Sequence, residues 1–159
     1  GYKYMDSFTS YLCFNHSVRR PDFKGNEILQ DALRNVDVLI GHNIKFDITW
    51  LRDCGFVYDN HLYDTMVAEY ILSSSRRWSL GLQSVAERYG ALKKKSLVDG
   101  YLKDGKTFYD IPYDIIEEYG IADVEATEQV ALKQLEAFGT TFEELFGDEE
   151  TIANTAFVA

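Results

Sequence analysis

Two pairs of polar residues, each spaced four positions apart, are the part of this sequence best suited to chemistry. Asn43 and Asp47 stand where an apolar run gives way to a helical pattern, and Tyr119 and Asp123 lie within the longest helical pattern. Residues four apart share one face of a helix, so each pair can present its groups together if the turn at Asn43 is already helical. Carboxylates suit hard cations such as Mg²⁺, although an isolated pair of this kind is more often solvated surface.

The segment around the first pair predicts a strand, a tight turn and a helix. Residues 36–40 form a short apolar run, Gly41-His42-Asn43 predicts the turn, and residues 46–54 predict the helix. This layout places polar side chains at the carboxyl edge of a sheet, which is where α/β proteins keep their sites.

Outside this segment, the sequence predicts strands near the start of the chain and mostly helices after them. Aromatic and β-branched runs at 2–5 and 8–14 predict a hairpin, and residues 112–138 predict the longest helix, which Gly139 ends. The residues predicted to cap or begin other helices are Asn26, Asp64 and Ser79. The order of elements predicts an α/β fold, or α+β by content.

The composition is that of one globular domain. At 159 residues, with 46% hydrophobic and 14% aromatic residues, the chain is long enough to bury a core. It carries no apolar run of membrane-spanning length and no signal segment, so we expect a cytoplasmic protein with no membrane partner. Cys13 and Cys54 lack metal or redox spacing and are expected to be reduced thiols in the core.

The net charge of −10 argues against an electrostatic clamp on nucleic acid. It does not exclude an enzyme that acts on nucleic acid, because a carboxylate cluster that holds divalent metal is itself acidic. The best candidates for phosphate contacts are the lysines at 93–95 together with Arg76 and Arg77, although a solvated loop is the favoured interpretation.

The two polar pairs, in this order, resemble the 3′–5′ proofreading exonuclease domain of family A DNA polymerases, most closely those of bacteriophages. Asn43-Ile44-Lys45-Phe46-Asp47 matches the family's motif Asn-x-x-(Phe/Tyr)-Asp, and Tyr119-Gly120-Ile121-Ala122-Asp123 matches its motif Tyr-x-x-x-Asp. The helices that begin near Asp64 and Ser79 also resemble the family. The resemblance implies a ribonuclease H-like fold, with a central mixed sheet flanked by helices.

What the resemblance implies chemically is hydrolysis of the terminal phosphodiester of single-stranded DNA by two divalent ions, Mg²⁺ or Mn²⁺. Carried over by motif, Asp123 would bind the metal on the side of the nucleophile and Asp47 would bind the other metal. Tyr119 would position the attacking water. The residues expected to contact or support the terminal nucleotide are Asn43, Phe46 and His42.

Plainer interpretations exist for several of these residues. His42 fits a turn or a partly buried histidine, and Asp64 fits a simple helix cap. Trp50 and Trp78 fit packing better than base stacking.

One part of the family's pattern is missing. Its first motif, Asp-x-Glu on the first strand, supplies two metal carboxylates, and no Asp-x-Glu stands before Asn43. That motif precedes a strand resembling residues 1–5, so we expect it upstream of residue 1 and the chain to be an N-terminally truncated fragment without its first strand. The predicted units are a partial exonuclease domain at 1–146 and, at 147–159, the start of a linker or helix toward a polymerase domain of the same parent chain. Alone, the chain is expected to hydrolyse DNA poorly or not at all.

Two rival functions stay open. One is a catalytically inactive exonuclease-like scaffold or DNA-end-binding module, and the other is a ribonuclease D-like exonuclease that trims RNA 3′ ends. Residues upstream of Gly1 would decide between catalysis and scaffold, and residues beyond Ala159 would separate a polymerase from a stand-alone nuclease.

Overall fold

The computed structural model of the protein describes residues 2–5, 23–74, 76–91, 97–147, 150 and 153–158. The predicted strand at 8–14, Cys13 and the lysines at 93–95 lie outside these ranges. Cys54 lies within them as an exposed free thiol that follows the last residue of α2, so the prediction that it belongs to the core is wrong.

The described strands form one mixed sheet. They are β1 (Tyr2–Tyr4), β2 (Val38–Gly41), β3 (His61–Asp64) and β4 (Thr155–Val158). Their order across the sheet is β1-β4-β2-β3, with β4 and β3 parallel to β2 and with β1 antiparallel to β4. The carboxyl ends of three neighbouring parallel strands therefore meet at one edge of the sheet.

Helices flank this sheet. They are α1 (Phe23–Arg34), α2 (Ile44–Asp53), α3 (Thr65–Leu72), α4 (Leu82–Arg88), α5 (Val98–Lys103), α6 (Tyr113–Phe138) and α7 (Phe142–Phe146). The predicted fold class, a central mixed sheet flanked by helices, is confirmed. None of the described helices combines the length and the apolar composition needed to cross a bilayer.

The two faces of the sheet bury different cores. Leu39 and Ala156 pack with Ile48 and Leu51 of α2 and with Leu33 of α1. On the opposite face, the core consists of Val38, Ile40, Phe157, Val124, Ala131, Leu135 and Phe142. Because successive strand residues point to opposite faces, β2 and β4 are covered on both sides, by α1 and α2 on one and by α6 and α7 on the other.

The sequence explains where α3 begins and where α6 begins and ends. The Asp64 side chain caps α3 by accepting from the backbone N–H groups of Met66 and Val67, as predicted. Gly139 ends α6 with φ 68°, in the left-handed region that glycine adopts without strain. Pro112 stands just before α6, where its fixed φ suits a helix start.

Three helix starts differ from the prediction. α1 begins at Phe23, so Asn26 lies inside it and does not cap it. α4 begins at Leu82 after Gly81, and Ser79 does not cap it. The carbonyl groups of residues 79 and 80 accept hydrogen bonds from Arg88 and His42, which hold this stretch outside the helix. α2 begins two residues earlier than expected, at Ile44.

The segment after residue 146 differs most from its prediction as a linker or helix. Residues 155–158 form β4, which lies between β1 and β2 in the sheet. Thr155, Ala156 and Phe157 are 1%, 3% and 0% exposed, so they belong to the core of the same domain. Thr-Ala-Phe-Val is a strand-forming run, but its partners lie more than a hundred residues away and leave no local signal.

Candidate active site

The turn between β2 and α2 presents the first motif. β2 ends at Gly41, and Asn43 adopts φ 59° and ψ 45°, a left-handed conformation that asparagine tolerates better than most residues. At Gly41, a Cβ atom would lie 3.0 Å from Cγ1 of Ile44, so the tight turn favours glycine there. Because Asn43 is left-handed and precedes the helix, the condition under which it would share a helical face with Asp47 is not met.

Asp64 holds this turn in place from the neighbouring strand. Its Oδ1 atom accepts from the backbone N–H of Asn43 at 2.9 Å and from that of Met66 at 2.9 Å. The same carboxylate therefore caps α3 and fixes the backbone of the first motif. The sequence predicted that Asp64 caps α3, but not that it also binds the backbone of Asn43.

His42 is bound by the protein through both ring nitrogens. Nε2 donates to the carbonyl oxygen of Leu80 at 2.7 Å, and Nδ1 lies 2.8 Å from the hydroxyl of Thr65. Burial lowers the pKa of His42, which keeps the ring neutral at pH 7. Both nitrogens are thus engaged in joining the turn to α3 and to the segment before α4, which favours the plainer structural interpretation of this residue.

Asp47 lies in the first turn of α2 and is partly buried. Burial raises the pKa of its carboxyl group, and the negative charge of nearby Asp64 acts in the same direction. A nearby cation would stabilise the ionised form of a carboxyl group that is partly buried beside another negative charge.

Tyr119 and Asp123 lie one turn apart on α6 and interact directly. The Tyr119 hydroxyl is hydrogen-bonded to the Asp123 carboxylate, and burial together with the charge of Asp123 raises the pKa of Tyr119 well above its ordinary value. The phenol therefore stays protonated at neutral pH and can donate a hydrogen bond. This pair is on one helix face, as predicted.

Asp123 of the second motif acts electrostatically on His42, which directly precedes the first motif. The charges of Asp64 and Asp123 both act on the His42 ring, and the charge of Asp64 also acts on Asp47. Asp64 therefore acts electrostatically on residues at the start of both the turn and α2, whereas Asp123 acts on His42 in the turn.

Oxygen donors of this kind suit Mg²⁺ or Mn²⁺. Within the described ranges, however, no three acidic, histidine or cysteine side chains come close enough together to hold a metal ion. The type of donor atom fits Mg²⁺ or Mn²⁺, the cofactors that the motifs imply. The number of donors that come together within the described ranges is too small to hold such an ion.

A cleft of about 380 Å³ adjoins the turn on the outer face of α2. Its lining residues are Asn43, Lys45, Phe46, Thr49, Trp50 and Asp53. Phe46 is 72% exposed and Trp50 is 43% exposed. Trp50, which the sequence suggested was packed, therefore offers a second aromatic surface one turn from Phe46.

Glu69 is a buried carboxylate that the motifs did not single out as functional. It is 3% exposed and binds Arg88 at 2.9 Å, the Tyr89 hydroxyl at 2.9 Å and the Gln134 amide at 3.1 Å. Gln134 also donates to the carbonyl oxygen of Thr65 at 2.9 Å. The network ties α3 to α4 and α6, and so fixes the helix that carries the second motif relative to the first. Its members are up to 69 residues apart, so no local pattern reveals it.

The fold and the site together define a class of protein: a ribonuclease H-like α/β domain with acidic residues where its parallel strands end. The chain belongs to the 3'-5' exonuclease family, because the model of that family matches residues 10–136. Both motifs lie within the matched residues. No curated protein and no solved structure matches the chain significantly. Membership in this family implies nuclease activity, that is, hydrolysis of phosphodiester bonds.

Proposed function

We propose that this domain removes nucleotides from the 3′ end of single-stranded DNA as the proofreading exonuclease of a bacteriophage-type DNA polymerase. The observation that carries the proposal is the match of the 3'-5' exonuclease family over residues 10–136, which include both motifs. The electrostatic effect of Asp123 on His42, which directly precedes the first motif, supports it. A cytoplasmic location and attachment to a polymerase domain belong to the same proposal.

Asp47 and Asp123 are the residues proposed to bind the divalent ions that such exonucleases generally use. Bound ions of this kind lower the pKa of water and stabilise a leaving oxygen. Tyr119 is proposed to orient the attacking water, since its hydroxyl stays protonated and already bonds the Asp123 carboxylate.

The cleft beside Asn43 is the proposed site for the terminal nucleotides. Exposed aromatic rings stack on bases regardless of sequence, which suits Phe46 and Trp50. Lys45, which lines the same cleft, supplies a positive charge for phosphate. A grip on only a few nucleotides is compatible with a net charge of −10, because the polymerase domain would provide further basic surface.

The proposal is tested with a single strand labelled at its 5′ end, incubated with Mg²⁺ or Mn²⁺. The 159-residue chain is compared with the product of the same reading frame extended by about 30 residues at each end, enough for a strand and its connection. We expect the extended protein to give products shortened one nucleotide at a time from the 3′ end. Shortening from the 5′ end, or internal cleavage, would contradict the proposal.

An inactive DNA-end-binding module is the second candidate, and the incomplete donor set within the described ranges favours it. It predicts that the extended protein binds the single strand but releases no nucleotide with either metal. The third candidate is a ribonuclease D-like enzyme. The same assay with an RNA strand of the same sequence tests it, because preferential shortening of RNA would support it.

A further inference from the structure

Thr65 connects the two elements that carry the motifs, although neither motif includes it. It is the first residue of α3 and is fully buried, so its polar groups need partners within the protein. Its hydroxyl lies 2.8 Å from Nδ1 of His42 and 3.3 Å from the carbonyl oxygen of Gly41. Its own carbonyl oxygen accepts from the Gln134 side chain at 2.9 Å. The side chain of Thr65 therefore contacts the turn after β2, and its backbone contacts α6.

The hydrogen bonds of His42 determine the direction of its bond to Thr65. A carbonyl oxygen can only accept, so the 2.7 Å contact with Leu80 requires a proton on Nε2. Burial lowers the pKa of His42, so the ring is neutral at pH 7 and Nδ1 carries no proton. Nδ1 must then accept from the Thr65 hydroxyl, which has one proton to donate. The longer contact with Gly41 is the weaker of the two contacts of this hydroxyl.

The residue before Thr65 holds the same turn. The Asp64 carboxylate accepts from the backbone N–H of Asn43 at 2.9 Å, while the Thr65 hydroxyl bonds the ring of His42. Two consecutive residues at the junction of β3 and α3 thus bind two consecutive residues of the turn. The position of the turn therefore depends on the position of this junction.

Gln134 attaches the same junction to α6. Its side chain is fully buried, and its amide nitrogen donates both to the carbonyl oxygen of Thr65 and to the carboxylate of Glu69. Gln134 lies on one continuous helix with Asp123, eleven residues or about three turns further along. A chain of hydrogen bonds consequently runs from the turn, through Thr65, to the helix that carries the second motif.

We propose that Thr65 is a positioning residue of the active site, whose hydroxyl orients the His42 ring and thereby holds the turn of the first motif in a fixed place relative to α6. Thr65 acts through His42, and it sets where Asp47 lies with respect to Asp123. This inference rests on the proposed function, because that placement matters for hydrolysis only if Asp47 and Asp123 bind the ions that act on the substrate.

Two substitutions at Thr65 separate its hydroxyl from its shape. Thr65→Val removes the hydroxyl and keeps a β-branched side chain, whereas Thr65→Ser keeps the hydroxyl. Thr155→Val is the matched control, because Thr155 is buried as well but stands at the start of β4, opposite Val38 and away from the carboxyl edge of the sheet. Urea unfolding of each variant gives the conditions under which all of them are folded.

Nitrogen NMR of the imidazole rings in the 159-residue chain tests the hydrogen bond itself at pH 7. His42→Gln identifies the signals of His42 among those of the three histidines. We expect the proton of the wild-type ring on Nε2. In Thr65→Val the Nδ1 signal should move toward that of an unbonded ring nitrogen, and the Asn43 amide should exchange faster with solvent. Thr65→Ser and Thr155→Val should show neither change.

A proton on Nδ1 in the wild type, or an unchanged Nδ1 signal in Thr65→Val, would overturn the inference. So would the same shift of the Nδ1 signal in Thr155→Val, because the shift would then follow from any loss of a buried hydroxyl.

Hydrolysis of the 5′-labelled single strand by the extended protein tests the consequence for catalysis. We expect Thr65→Val to lower kcat about 10-fold or more and to change KM less than about twofold, because small displacements of catalytic groups slow the chemical step. Thr65→Ser should recover most of the rate, and Thr155→Val should retain it. An unchanged kcat in Thr65→Val, or an equal loss in Thr155→Val, would count against the positioning role.

The two measurements separate this inference from the proposed function. The expected changes at Nδ1 and at the Asn43 amide, without hydrolysis by the extended wild type, would support the role of Thr65 in holding the turn while counting against the proposed function. Hydrolysis by the extended wild type, with an unchanged Nδ1 signal in Thr65→Val, would support the proposed function and overturn the inference.

Discussion

Replacing Glu69 should destabilise the domain more than any single change at its surface. The carboxylate is 3% exposed and accepts hydrogen bonds from Arg88, Tyr89 and Gln134. Removing one partner of a buried ion pair costs about 3–5 kcal/mol. The Arg88 side chain is 28% exposed and can regain water, so we expect the lower end, about 3 kcal/mol, for Glu69→Ala. For a domain of this size that corresponds to a fall in Tm of about 6–12 °C.

The same network predicts how stability depends on pH. Burial alone would raise the pKa of Glu69, but hydrogen bonds from Gln134, Tyr89 and Arg88, and the charge of Arg88, outweigh it and lower the pKa below 4.5. A carboxyl group whose pKa is lower in the folded state stabilises that state above its unfolded pKa, and this stabilisation is lost as the pH falls through the folded value. The difference in unfolding free energy between the wild type and Glu69→Gln should therefore be largest near pH 7 and shrink below about pH 4.5.

Urea unfolding of both variants at pH 7 and pH 4 measures these effects. Glu87→Gln is the matched control, because the Glu87 side chain is exposed and accepts a hydrogen bond from Gln83, which is exposed as well. It should change the unfolding free energy by no more than about 0.5 kcal/mol. A fall of less than about 1 kcal/mol for Glu69→Ala, or a pH-independent difference for Glu69→Gln, would refute the reasoning.

Three further predictions concern the site. Asp64→Ala should lower stability by about 2 kcal/mol in urea unfolding, through the loss of the α3 cap and of the bond to the Asn43 backbone, and an unchanged midpoint would contradict this. Trp50→Ala should weaken binding of single-stranded DNA by about 1–3 kcal/mol in fluorescence anisotropy. Trp78→Ala, which alters an equally exposed ring outside the cleft, should not weaken it, and equal losses would argue against stacking at Trp50. Tyr119→Phe should slow hydrolysis by the extended protein about 100-fold, whereas unchanged rates would remove its hydroxyl from the mechanism.

The parts of this fold that the sequence predicts are those with local causes. The apolar run before Gly41 predicts β2, and Gly139 predicts the end of α6 through its conformational freedom. The motif residues also identify the family, which the match over residues 10–136 confirms. The roles assigned to Asp47, Tyr119 and Asp123 stay predictions.

The parts that the sequence does not predict depend on distant partners. The conformation of Asn43 is fixed by Asp64 from another strand, and the buried state of Glu69 depends on Gln134, 65 residues further along the chain. The run at 155–158 is too short to reveal whether it joins a sheet. Its position next to β2 emerges only when the whole sheet is assembled.

The most direct test of the central claim is the direction and metal dependence of hydrolysis at this site. A 5′-labelled single strand is incubated with the extended protein, with and without Mg²⁺, and with its Asp123→Asn variant. We expect stepwise shortening from the 3′ end that requires Mg²⁺ and is abolished by Asp123→Asn, while the variant keeps the unfolding midpoint of the parent. Full activity of Asp123→Asn, or shortening without a divalent ion, would contradict the assignment of this edge of the sheet as the active site.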